Sequence, residues 1–160
     1  MATAGISTLG ITFGYGVETA AGTKPTTFSQ LTRINSIGGI SIEPEQIDAS
    51  ALEDYVTKYI SGRSDTGGSF TVTVNLTDET QAEWEAVISA YGDLEEGYNL
   101  WFETIVPDFS DAFFVIAQPP TVLPQPELGQ NELLTIEVVL TIVEYKGMDT
   151  AVAFSTTTTE

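Results

Sequence analysis

Between residues 69 and 76 apolar and polar side chains alternate without a fault. Phe70, Val72, Val74 and Leu76 fall on one side, and Ser69, Thr71, Thr73 and Asn75 on the other. A period of two marks a strand with one face in a core. The same period runs through 98–106, with Tyr98, Leu100, Phe102, Thr104 and Val106 on the core side and Asn99, Trp101, Glu103 and Ile105 opposite. Ala112 to Gln118 reads as a short strand, and Asp108-x-x-Asp111 as the hairpin turn before it. Leu133 to Tyr145 is the longest predicted strand, ~43 Å if fully extended. Its even positions Leu134, Ile136, Val138, Leu140 and Ile142 are all apolar, while its odd positions mix Thr135, Glu137 and Thr141 with Val139, Val143 and Tyr145.

The period lengthens to that of a helix over 79–91. Trp84, Val87, Ile88 and Tyr91 form its apolar stripe, Asp78-x-x-Gln81 is a capping-box pattern, and Gly92 marks its end. Within 45–66, Ser50-x-x-Glu53 is a second such pattern. Leu52, Tyr55, Val56, Tyr59 and Ile60 follow it at helical spacing, which predicts a helix over 51–60 closed by Gly62. Residues 1–28, rich in Gly, Thr and Ala, show no strong period and read as an extended arm that needs a neighbour to order it. Gly38-Gly39 reads as a turn or bulge, the prolines after 118 as a semi-stiff link, and residues 149–160 as a disordered tail. These elements predict a mainly β fold, a β-sandwich or partly open barrel with one packed helix, its domain spanning 29–148.

Composition narrows the chemistry. The 160 residues hold no Cys and no His, so thiol nucleophiles, histidine-based triads and the usual zinc, haem and iron–sulfur ligands are excluded. The carboxylate clusters Glu53-Asp54, Glu95-Glu96 and Asp108/Asp111 could in principle serve glycoside hydrolysis, but none sits in a cleft-forming pattern and solvated surface is the simpler role. Ser64-Asp65-Thr66-Gly67-Gly68 lacks the alternating ligands of a calcium loop. Gly14-Tyr15-Gly16 opens like a dinucleotide fingerprint, yet Thr19 stands where its third glycine belongs. Neither an enzyme, a metal site nor a cofactor is expected.

Charge is the unusual quantity. Twenty-three acids oppose five bases for a net of −18, and beyond residue 64 the only base is Lys146. Such a surface repels phosphate backbones and anionic lipids, so it binds neither nucleic acid nor membrane by charge. The longest apolar run, Ala112 to Ala117, is too short to cross a bilayer. The N-terminus does not read as a secretory signal, and cytoplasmic synthesis is expected.

The order of several short motifs resembles the major tail tube proteins of long, non-contractile-tailed phages and prophages. They are Ile34-Asn-Ser-Ile-Gly-Gly39, Ile47-Asp-Ala-Ser-Ala-Leu52, Lys58-Tyr-Ile-Ser-Gly62, Asp65-Thr-Gly67, the strand 69–76, the helix after it, and Glu127-Leu-Gly-Gln-Asn-Glu-Leu-Leu-Thr-Ile-Glu-Val138. Their succession covers roughly residues 5–148. The resemblance implies hexameric rings of β-sandwich subunits, stacked into a hollow tube in the virion tail through which genomic DNA passes unbound. It implies tape-measure, tail-terminator and tail-tip proteins as further partners. It also implies a long loop at 45–66 that orders on assembly, in conflict with the helix predicted there.

On that basis two surfaces are expected. Strand parity places Thr71, Thr73, Asn75, Glu103, Thr135, Glu137 and Thr141 off the core, lining or bordering the lumen. Leu52, Tyr55, Val56, Lys58, Tyr59, Ile60 and Arg63 are the expected inter-subunit contacts, carrying two of the five bases. The alternative is a β-sandwich adhesion or binding module that forms no tube.

Overall fold

In chain order the strands are β1 (Thr12–Val17), β2 (Phe28–Leu31), β3 (Ile34–Ile37), β4 (Glu43–Asp48), β5 (Tyr59–Asp65), β6 (Ser69–Asn75), β7 (Leu100–Ile105), β8 (Asp111–Gln118), β9 (Thr135–Thr150) and β10 (Phe154–Ser155). Helix α1 (Asp78–Gly92) follows β6. The computed structural model describes residues 5, 7–65 and 68–155. The fold is mainly β, with antiparallel pairing throughout except for the short parallel contact of β10 with β2.

Eight strands form one sheet in the order β10-β2-β1-β7-β8-β9-β6-β3, and β4 and β5 form a separate two-stranded sheet. β2 and β3 stand six places apart in that order, yet only Thr32 and Arg33 join them. Three Cα–Cα steps reach at most ~11 Å, so the large sheet curves until its ends nearly meet. Helix α1 fastens that link: the Thr32 amide donates to Glu83 Oε2 at 2.9 Å and its hydroxyl to Oε1 at 2.9 Å.

The concave face holds the main core. Phe13, Leu31, Phe70, Val72, Val74, Leu100, Phe102, Val115, Ala117, Ile136, Val138 and Leu140 meet there with Trp84 and Val87 of the helix. The alternation over 69–75 and 135–140 is thus realised in register, with Val72 opposite Val138 and Thr73 opposite Glu137. The helix begins one residue earlier than its pattern suggests. Its cap is Thr77, whose hydroxyl accepts from the Thr80 amide while the Thr80 hydroxyl accepts from the Thr77 amide. Asp93, not a left-handed glycine, caps the far end.

The convex face is divided. Across β2, β7 and β8 it carries a second apolar cluster of Phe28, Trp101, Ala112, Phe114 and Ile116, roofed by Ala151, Val152 and Phe154. β7 is therefore buried on both faces. Across β6 and the first half of β9 the same face is bare and, apart from the exposed Val139, polar.

Two expected termini are corrected by this arrangement. The arm 1–28 contains β1, an interior strand whose Phe13 stacks on Phe102 at 5.6 Å, and β2 beside it. Its period is hidden because two of the three convex positions of β1 are glycines, Gly14 and Gly16. A side chain at Gly14 would collide with the Phe154 ring and the Ser29 carbonyl, and one at Gly16 would meet the Phe28 ring at 2.8 Å. The two glycines of the apparent dinucleotide motif make room for aromatic rings. The tail likewise is structured as far as Ser155, because its apolar residues Ala151, Val152 and Phe154 have a hydrophobic face to cover; residues 156–160 lie outside the described residues. So do residues 1–4, 6, 66 and 67, the last two within the segment 64–68 weighed above as a calcium loop.

Gly14→Ala should cost about 1–3 kcal/mol of stability, because the Phe154 ring or the β2 backbone must move. Gly39→Ala, where an added Cβ meets nothing within 4 Å, should stay within ~0.5 kcal/mol. Urea midpoints of the two variants test this, and equal effects would contradict the aromatic roof.

Candidate assembly surfaces

Six of the seven expected lumen residues share one surface. The register β6–β9 sets Asn75 opposite Thr135, Thr73 opposite Glu137, Thr71 opposite Val139 and Ser69 opposite Thr141. Glu137, Val139 and Thr141 are exposed, and Thr71, Thr73, Asn75 and Thr135 half-buried. Asn35 of β3 extends the patch by donating to Asn75 Oδ1 at 3.3 Å. From 69 to 75 and from 135 to 143 the surface presents one acid and no base.

Glu103 is the exception and is corrected. Parity places it on the convex face as expected, but on the half that the C-terminal segment covers. It is 0% exposed, and its Oε2 accepts from the Val152 amide at 2.7 Å. Its Oε1 has no partner among the described residues. Burial pushes its carboxyl above the usual range, partly offset by the Val152 amide and the charge of Lys24. Trp101, on the same face, is buried as well. Its Nε1 donates to Glu18 Oε1 at 2.7 Å, and Glu18 Oε2 takes the Asn99 and Gly22 amides at 3.1 and 3.0 Å. Burial alone would raise Glu18, but these hydrogen bonds outweigh it and hold the carboxyl below its ordinary value. Lys24 completes the clamp. Its ammonium lies 4.1 Å from the centre of the Phe114 ring, donates to the Thr150 carbonyl at 2.7 Å, and pairs with Asp149 at 3.4 Å.

The helix expected over 51–60 is absent. Residues 43–65 form a hairpin, with Ile47 opposite Ile60 and Asp48 opposite Tyr59, extended by the Ala49 amide donating to the Lys58 carbonyl at 2.8 Å. The groups that suggested a capping box are used otherwise. The Ser50 hydroxyl accepts from the Lys58 amide across the hairpin, and Asp54, not Glu53, accepts from the Ala51 amide. A helix stripe gains stability only when something covers it, and nothing here does. Gly62 accordingly lies in β5, and Pro44 is tolerated in β4 at a bulge on an exposed edge.

All seven expected contact residues therefore sit on one projecting hairpin, though not in one stripe: Tyr59 and Ile60 point to opposite faces. Leu52 is 109% exposed and Tyr55 104%, and Val56, Tyr59 and Ile60 are also open to solvent. Lys58 is occupied within its own chain by Asp54 at 2.9 Å, while Arg63 is exposed. Ile42 and Ile47 add exposed apolar surface outside the seven expected contact residues, and no periodicity in the sequence around Ile47 signals it. The carboxylates Glu53, Glu95, Glu96, Asp108 and Asp111 are dispersed on exposed turns and strand ends. No group of metal-ligating side chains occurs among the described residues, and no helix there is long and apolar enough to cross a membrane.

The raised carboxyl of Glu103 fixes a sign. A group whose folded-state pKa lies above its unfolded value favours the fold when protonated and loses that contribution as pH rises through the folded value. Glu103→Gln should therefore gain on the native chain between about pH 5 and about pH 8. Denaturant midpoints at the two pH values measure this, and a gap that does not change would show that Glu103 titrates normally.

No protein-family description and no curated protein matches this chain.

Proposed function

We propose that this chain is a structural protein that polymerises as stacked hexameric rings into a phage tail tube, its polar, acidic bore conducting DNA to the host. Its curved sheet would serve as the β-sandwich or partly open barrel of each subunit. The observation that carries the reading is the stagger of β9. β6 pairs with it from Thr135 to Thr141, and β8 from Thr141 to Thr150. Each edge of the longest strand is thus open over about half its length among the described residues. Open edges invite pairing with another chain, and closing a ring of such subunits would satisfy them as a shared barrel. The bare face of β6 and β9 would then turn to the lumen. Thr and Asn keep it hydrated, and Glu137 without a neighbouring base repels a passing phosphate backbone. Tape-measure, terminator and tip proteins would be its further partners.

The hairpin supports the same reading. A two-stranded sheet alone is marginal in water, and this one exposes a run of large apolar side chains that a partner would cover. Tyr55→Asp combined with Tyr59→Asp should give a folded monomer where the native chain, concentrated, gives rings or tubes by negative-stain microscopy. A native chain that stays monomeric at every concentration would leave the binding-module alternative.

Glu137→Lys should leave assembly intact but slow DNA passage, because a cationic ring holds the polymer it must release. DNA-ejection kinetics from particles carrying the variant give the measurement. Unchanged kinetics would remove the repulsive role of the bore.

A further inference from the structure

The end of the described chain is fastened to the convex face through a buried acid. Pairing of β9 with β8 stops at Thr150. Residues 151–155 are then held by the Val152 amide on Glu103 Oε2 at 2.7 Å, the Ala151 amide on the Ser110 carbonyl at 3.4 Å, and the two-residue pairing of β10 with β2. Ala151, Val152 and Phe154 pack on the convex cluster, and none of these residues belongs to the main core. The segment can therefore lift while the main core stays closed.

Glu103 lies fully buried beneath it, with Oε1 unpartnered among the described residues. An ionised carboxylate so placed has a charged oxygen that nothing solvates, whereas the neutral acid tolerates burial. Lys24 eases that cost by its charge but does not remove it. Its ammonium is engaged by the Thr150 carbonyl, Asp149 and the Phe114 ring, and forms no ion pair with Glu103 among the described residues.

We propose that residues 151–155 are a strap that opens as pH rises, with Glu103 as its latch. Protonated, Glu103 is neutral and keeps its bond to Val152. Ionised, it regains a water shell only when the strap lifts. Closure holds the carboxyl above its ordinary value and opening releases it, so closure is fully favoured in acid and weakens as pH rises through the closed-state value. The charged groups facing it are Glu18 and Lys24 from the segment after β1, and Glu144, Lys146 and Asp149 from β9. β1, β2 and the strap itself bring none to this face. Glu18 and Asp149 are held below their ordinary values, so neither changes charge in the same interval. An open strap bares Phe28, Trp101, Phe114 and Ile116 and frees the edge of β2 that β10 covers. The proton thus controls exposure of an apolar strand edge. This device belongs to the single subunit and does not depend on the tube reading.

Hydrogen exchange of the full-length chain tests it. The Val152 amide should exchange at least ~tenfold faster than the ladder amides of β6 and β9, and should respond less to low urea, as local opening requires. Between about pH 5 and about pH 8 its protection, corrected for the intrinsic rate, should fall roughly threefold or more. In Glu103→Gln, which keeps an acceptor for Val152 but cannot ionise, that fall should vanish. A second measurement uses the absence of cysteine. A thiol reagent should label Ala112→Cys, in the cluster beneath the strap, faster than Ala117→Cys in the main core. Its rate, corrected for thiol ionisation, should rise over the same interval. Val152 sharing the protection and urea response of the β6–β9 ladder would mean that the strap opens only with the whole fold, and would overturn the proposal. So would protection that is equal at both pH values, a pH dependence that survives in Glu103→Gln, or equal labelling of the two cysteines.

Discussion

A strand with apolar side chains on both faces needs two covers, and β7 obtains its second from the end of the chain. Leu100 and Phe102 enter the main core, while Trp101 and Glu103 enter the convex cluster beneath residues 151–154. The roof can settle there because β1 offers glycine at two of its three convex positions, so that Phe154 lies against Gly14 and Phe28 against Gly16. Polar fastenings then fix the roof and the strand beneath it. Val152 is held by Glu103, Thr150 by Lys24, and Trp101 by Glu18. Without this roof the whole convex face would be open to water, and β7 would expose Trp101 together with a buried carboxylate.

The same contact explains how far the fold was legible in the sequence. Where one face meets the core and the other meets water, as in β6 and the first half of β9, alternation is complete, and Val72, Val74, Ile136 and Val138 could be placed from the sequence alone. Where both faces are covered, alternation no longer distinguishes them. Glu103 was assigned to the correct side of its strand but the wrong environment, because the parity rule says which face a residue shares and nothing about what lies over it. The cover came from residues that read as a tail. The strand beneath came from residues that read as an arm, since glycine leaves no trace in a hydrophobic pattern. One unseen long-range contact accounts for all three errors.

The hairpin failed for a different reason. Leu52, Tyr55, Val56, Tyr59 and Ile60 fit helical spacing, but spacing selects a helix only if a core waits on one side. Cross-strand bonds between Ala49 and Lys58 and between Ser50 and Lys58 satisfy the backbone without one. The seven residues expected at contacts still lie on one segment, because both conformations keep a short segment together and leave its large side chains uncovered. Grouping survives an error in secondary structure when the grouping is local. Six of the residues expected at a lumen still share one face, because β6 and β9 are paired in register.

Acidity constrains everything that follows from these surfaces. At net −18 two subunits repel, and screening weakens that repulsion only beyond about 8 Å at physiological salt. Any contact between copies must therefore be made by groups that bring little charge of their own. A cavity beside β3, with no charged residue in its lining, meets this condition, whereas the hairpin tip exposes Glu53 between its apolar side chains. The bare face of β6 and β9 meets a different one. Its single acid is too little to bar assembly around it, while the absence of a base leaves nothing to bind a polyanion. The acids are spread elsewhere, and the bare face of β6 and β9 and the lining of the cavity beside β3 are left clear of them but for Glu137.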